Sequence, residues 1–202
     1  MVNYASVTWS AFKALIFLAG LSFLANPLLR HTTTSTNFGI RRTMASVKLN
    51  DGTTIPILAF GSGTALYGKD ATKQVVQAIQ AGFRHIDAAQ MYRNEESVGE
   101  AIVSAGVPRS ELYITTKLGK LPAGKTVRDT LVESLRKLKV DYVDLFLIHM
   151  PNEHPDLEGV WKEFEELKKE GLTKSIGVSN AQVKHLTKIL EVASTVPAVN
   201  QV

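Results

Sequence analysis

The sequence has no cysteine, so disulfide staples and thiolate metal sites are excluded. Acidic residues are absent from the first 43 positions, which hold Lys13, Arg30, Arg41 and Arg42. Of the 23 basic residues, the other 19 lie after these and balance all 19 acidic residues of the chain. The formal net charge of +4 therefore belongs to the N-terminal stretch. The remainder is neutral and gives no electrostatic case for nucleic acid. No run of apolar residues approaches the ~20 that a bilayer span needs; Ala14–Ala25 covers only 12 positions. No Gly-x-Gly-x-x-Gly opens a helix, so the Rossmann fingerprint is missing. Low-complexity tracts and short solenoid repeats are missing too.

The N-terminal segment, residues 1–43, has three open readings. In the first, translation starts at Met44, since Met44–Gly52 reads as a natural N-terminus. Alternatively the acid-poor, Arg-containing, Ser/Thr-rich stretch is a mitochondrial presequence. The third reading is a signal-like anchor, with residues 14–29 associated with a membrane.

What is present begins with Asn50-Asp51-Gly52 between Val47, Leu49, Ile55 and Ile57, the signature of a tight hairpin. From there strand and helix patterns alternate. The expected strands are Ile57–Gly61, a stretch around Phe83–Asp87, Leu112–Lys117, Tyr142–His149, Thr173–Asn180 and a last one from Ala198. The expected helices are Asp70–Ala81, Asn94–Ala105, Thr126–Lys139, Leu157–Glu170 and Ala181–Ala193, with Asp70 capping the first and Gly61 and Gly63 making tight turns. This rhythm predicts a parallel α/β architecture of the (β/α)₈ barrel type with an N-terminal β-hairpin. It supplies about six of the eight βα repeats, consistent with 202 residues against the ~250 of a complete barrel.

Several strands end in a polar residue at the same end. Asp87 closes the second strand, with Tyr92 in the loop beyond it. Lys117 closes the third, His149 the fourth and Ser179-Asn180 the fifth. In an α/β barrel that end is where chemistry occurs. A phenol is a weak acid with an ordinary pKa of about 10, and a neighbouring ammonium favours the phenolate. Lys117 can supply the ammonium and Asp87 can orient it. Tyr92 can then protonate a carbonyl oxygen while His149 hydrogen-bonds the same oxygen. Hydride must come from a dinucleotide, because no side chain carries it. Taken singly, each residue also has a plain structural reading: a buried Asp–Lys ion pair, a helix cap at Ser179-Asn180, a surface or packing role for His185.

Gly82–Tyr92 with Asn94-Glu95, Thr116-Lys117, Leu147-Ile148-His149 and Ser175–Asn180 resembles the aldo-keto reductase family. Gly61–Thr64 and Asp87–Tyr92 are similar to its fungal α-keto amide and α-keto ester reductases. The resemblance implies that residues 44–202 are a partial domain of an NADP-dependent reductase that reduces aldehydes or ketones to alcohols. It implies Asp87, Tyr92, Lys117 and His149 as the catalytic set. Thr64, Asp87, Ser179, Asn180 and Gln201 are implied as cofactor contacts to NADP(H), and Tyr92, His149 and Met150 as substrate contacts. No metal is implied. The family background also implies a cytoplasmic protein, monomeric at full length, acting on a small carbonyl compound. Two departures stand out: Ala65 and Met150 occupy places where relatives often carry Trp. The seventh and eighth strands, the C-terminal substrate loop and the 2′-phosphate contacts lie beyond Val202, which raises the expectation of an inactive fragment. The alternative reading is a catalytically silent binding or regulatory protein of the same fold.

Overall fold

The computed structural model of the protein describes residues 45–202; the readings of residues 1–43 lie outside the described residues. The hairpin forms as expected. β1 (Ser46–Lys48) and β2 (Thr54–Pro56) pair antiparallel, with Val47 opposite Ile55. Gly52 turns the chain at φ 86°, a region open to a residue without Cβ.

Six parallel strands follow in strictly sequential order: β3 (Phe60–Gly61), β4 (His85–Asp87), β5 (Tyr113–Leu118), β6 (Val143–Ile148), β7 (Thr173–Ser179) and β8 (Asn200–Gln201). Each crossover carries one helix: α1 (Thr72–Gln80), α2 (Glu95–Ser104), α3 (Val127–Leu138), α4 (Leu157–Lys169) and α5 (Val183–Val192). These are the βα repeats of a (β/α)₈-type barrel. The sheet curls: Gln201 on β8 donates a 3.1 Å hydrogen bond to Asp87 on β4, although three strands separate them in the sheet.

The helices match their sequence signals within a few residues. Thr126 and Asp129 form a reciprocal capping box at the start of α3, and Lys139 ends it at φ 57°. Asp156 caps α4 by accepting from the Gly159 amide at 2.9 Å. Asp70 does not cap α1. Its carboxylate accepts from the Thr72 amide one residue early, and Ala71 takes the cap position. The first barrel strand is also shorter than expected. The Ile57 amide donates to Ala45 of the hairpin segment, so Ile57 stays with the hairpin and leaves only Phe60–Gly61 in the sheet. Gly61 and Gly63 have no positive φ; the left-handed residues of that loop are Thr64, at φ 47°, and Gly68, at φ 65°.

Alternation along the strands divides the side chains into two sets. Ile86, Ile114, Leu118, Phe146, Ile148, Ile176 and Val178 pack with the helices in one core cluster that includes Val75, Ile79, Val98, Leu131, Trp161, Phe164 and Ile189. Phe146 stacks on Phe164 at 4.4 Å and 9°. Burying each such side chain contributes about 1.5–3 kcal/mol. Helices α2 and α3 approach closely because Gly99 has no Cβ; one would collide with the Lys137 carbonyl.

The other set combines the polar His85, Asp87, Thr115, Lys117, Ser175 and Ser179 with the apolar Leu145 and Leu147 of β6. The hairpin ties down one end of it. Asp51 Oδ2 accepts from Lys168 Nζ (2.9 Å) and Ser175 Oγ (2.8 Å), and Thr53 Oγ1 lies 2.9 Å from Ser175 Oγ. Burial pushes the Asp51 carboxyl up, but hydrogen bonds from Thr53, Lys168 and Ser175 outweigh it and bring the pKa from 3.8 to about 2. Ser175 stands four residues before the end of β7. The hairpin therefore sits at the N-terminal ends of the strands and leaves the C-terminal ends for the site.

Candidate active site

Strand register brings the polar strand ends together. Asp87 pairs with Thr115, two residues before Lys117; Lys117 pairs with Leu147, two residues before His149; Ser179 pairs with Gln201. Each of these residues follows an apolar run that pins its strand against the helices, so the phase of the pattern fixes their common side.

Lys117 is the centre of the cluster. It is 1% exposed, and its ammonium donates to Asp87 Oδ1 (2.5 Å), the Ala88 carbonyl (3.1 Å) and the Tyr92 hydroxyl (3.2 Å). Three acceptors match the three N–H donors of the ammonium. Burying an ammonium without such partners would be costly. The Tyr92 ring meets the His149 ring edge-on, 5.6 Å between centroids at 85°. Burial, with the Lys117 charge second, holds the His149 imidazolium below its ordinary range; Asp87 and Glu153 pull weakly the other way. At neutral pH His149 is a neutral imidazole, able to offer one N–H to an oxygen beside Tyr92.

The predicted cofactor residues form a second, contiguous group. Ser179 Oγ donates to the Gln201 carbonyl (2.8 Å). Asn180, left-handed at φ 54°, donates to the His149 carbonyl (3.0 Å), to Ser179 Oγ (3.0 Å) and to Met150 Sδ (3.3 Å). Gln201 reaches Asp87 as described. Ser179 and Asn180 do not cap α5: Gln182 takes the cap position, its backbone amide donating to His185 Nδ1 at 3.1 Å. His185 is a buried packing residue, with Nε2 2.8 Å from Asn152 Oδ1. Met150 is drawn into the group through Asn180. Thr64 lies in the loop after β3, where its β-branched side chain at positive φ marks local strain. It makes no side-chain hydrogen bond among the described residues.

Sequence reasoning overlooked two supports. Asn94 donates from its side chain to the Ser62 (2.7 Å) and Leu66 (2.9 Å) carbonyls, and the Gly68 amide donates to the Tyr92 carbonyl (2.8 Å). The loop after β3 is thereby strapped to the segment carrying Tyr92. Behind them Glu95 is 4% exposed and accepts from Thr116 Oγ1 (2.7 Å) and Ser134 Oγ (3.2 Å), and burial raises its pKa. Asn94-Glu95 and Thr116 stood next to the key residues in the sequence, but only their contacts reveal what they do.

The aldo/keto reductase family profile matches residues 58–202. The chain is 42% identical over 157 residues to the methylglyoxal reductase DkgA of Escherichia coli K12, spanning 77% of this chain and 56% of that protein. It is 42% identical over 158 residues to the glyoxal reductase of Bacillus subtilis strain 168, spanning 78% of this chain and 57% of that protein. A Bombyx mori aldo-keto reductase solved in complex with NADP superposes with a TM-score of 0.67 at 39% identity, over 77% of this chain and 57% of that one. The chain thus spans little more than half the length of the relatives it matches. Among the described residues no helix is long and apolar enough to cross a membrane. With the family profile covering most of the chain and relatives above 40% identity, the protein belongs to the aldo/keto reductase family.

Proposed function

We propose that this protein reduces small aldehydes and ketones to alcohols using NADPH, with Tyr92 as the proton donor. The observation that carries this reading is the chain of contacts Asp87–Lys117–Tyr92 beside a neutral His149. When bound, NADPH supplies the hydride to the carbonyl carbon. As negative charge gathers on the carbonyl oxygen, the Tyr92 hydroxyl gives it a proton. The Lys117 ammonium, 3.2 Å away, stabilises the charge left on the phenol oxygen. Asp87 keeps that ammonium aimed. His149 donates an N–H to the carbonyl oxygen and fixes its direction.

The residues present fit the nicotinamide end of the cofactor. A carboxamide needs both donors and acceptors. Ser179, Asn180 and Gln201 supply hydroxyl and amide groups side by side, and among the described residues neither Asn180 Oδ1 nor Gln201 Oε1 accepts a hydrogen bond. Thr64 and Asp87 would complete the contacts. Met150 would form part of the substrate wall. The preference for NADP rests on family membership and on the NADP complex of the silkworm relative.

The substrates to try first are α-dicarbonyls, as in the names of two relatives, and α-keto esters, as the fungal resemblance suggests. We place residues 44–202 as part of a reductase domain that acts in the cytoplasm and, at full length, as a monomer. Carbonyl-dependent oxidation of NADPH by the purified chain tests the reading, and its absence with α-dicarbonyls, α-keto esters and aromatic aldehydes counts against it.

A further inference from the structure

We propose that Gly63 is a positioning residue for Tyr92, its missing side chain setting where the phenol lies relative to Lys117. The inference rests on the reading of Tyr92 as proton donor but adds a residue to it. The backbone of Gly63 does not require glycine: φ −82° and ψ −154° are extended and open to any residue. What requires it is the ring. A Cβ at Gly63 would lie 2.9 Å from Tyr92 Cζ, 3.0 Å from Cε2 and 3.1 Å from Cε1, inside ordinary contact. Cζ is the carbon that bears the hydroxyl, so the added methyl presses on the reactive end of the ring.

The loop cannot move away easily. Asn94 holds the Ser62 and Leu66 carbonyls, Gly68 holds the Tyr92 carbonyl, and the Ser62 amide donates to the Asp87 carbonyl at 2.9 Å. Gly63 is thus fastened on both sides, and the strained Thr64 follows it directly. The free end of a side chain yields before a backbone fastened this way. The ring that yields is the one whose oxygen must stay 3.2 Å from Lys117 Nζ. Gly61, two residues earlier, serves as the control: a methyl added there would meet nothing within 4 Å.

The test compares Gly63→Ala and Gly61→Ala. In protein labelled with ¹³Cζ-tyrosine, the Tyr92 resonance, assigned by its loss in Tyr92→Phe, should move in Gly63→Ala. The Tyr113 and Tyr142 resonances should stay in place, and Gly61→Ala should move none of them. In the reductase assay Gly63→Ala should lower kcat by ~10-fold or more, leave the NADPH Kd within about 2-fold, and cost nothing further in a Tyr92→Phe background. If Gly63→Ala fails to fold, its stability cost should vanish in the Gly63→Ala/Tyr92→Ala double variant. A Tyr92 resonance that does not move, an equal kcat loss with and without the Tyr92 hydroxyl, or a folding defect that Tyr92→Ala does not relieve overturns the proposal. A wild-type chain without reductase activity overturns the functional reading instead, and the resonance then decides on Gly63 alone.

Discussion

Lys117 Nζ lies 2.5 Å from Asp87 Oδ1, with the lysine almost wholly removed from solvent. The pair is therefore more than a surface salt bridge, which would contribute little. Removing one partner leaves a buried charge without its counter-charge. Asp87→Asn should destabilise the fold by about 3 kcal/mol. For a domain of this size that corresponds to a fall in Tm of roughly 6–12 °C. Differential scanning calorimetry of the variant checks it; an unchanged Tm would mean the lysine finds other compensation.

The interface between sheet and helix α4 should be the most sensitive part of the core. Phe164 is fully buried and touches both Phe146 and Trp161. Phe164→Ala is expected to cost about 3–5 kcal/mol, read as a shift in the urea midpoint at unchanged slope. Val183, at 80% exposure on α5, is the contrast: Val183→Ala should fall within about 0.5 kcal/mol of the wild type.

Stability should fall from both histidine and aspartate titration as the solution is acidified, in separate windows. Burial lowers the folded-state pKa of His85, His149 and His154 below 6.5. The unfolded chain then binds more protons than the folded one below about pH 6.5, so stability declines as pH drops through that value. Asp51 acts lower. Its contribution is present above its ordinary pKa of 3.8 and is lost as pH falls toward about 2. His154→Gln should flatten the first decline, and Asp51→Asn should remove part of the second while destabilising the protein at neutral pH. Urea midpoints measured across pH would show both, and an unchanged pH slope in His154→Gln would contradict the burial argument.

How much of this was legible beforehand follows from sequence separation. The strand-terminal set Asp87, Lys117, His149 and Ser179 could be read because each closes an apolar run in the same phase, a local pattern. Asp51 could be read only as a hairpin turn. Its carboxylate works on Lys168 and Ser175, 117 and 124 residues away, and no local signal points there. Gln201 likewise meets Asp87 across 114 residues because the sheet curls. Gly63 looked like a turn glycine, and the reason for it is an aromatic ring on another loop. The shortened first strand was missed for a different reason. Ile57 has the apolar character of a barrel strand, but its amide is already committed to the hairpin.

Lys117→Met keeps most of the stem and removes the ammonium that touches the Tyr92 oxygen. If that charge assists proton donation, kcat near neutral pH should fall by at least ~10²-fold and the pH profile for carbonyl reduction should change shape. A reduced rate with the profile intact would assign the lysine a structural part only.

The most direct test of the account is the turnover of Tyr92→Phe, which keeps the ring against His149 and Gly63 and removes only the donor. With wild-type and variant chains compared for methylglyoxal-dependent NADPH oxidation, the account predicts carbonyl-dependent activity in the wild type. It predicts a kcat lower by ~10²-fold or more in the variant, with NADPH affinity little changed. Near-wild-type turnover in Tyr92→Phe would contradict it.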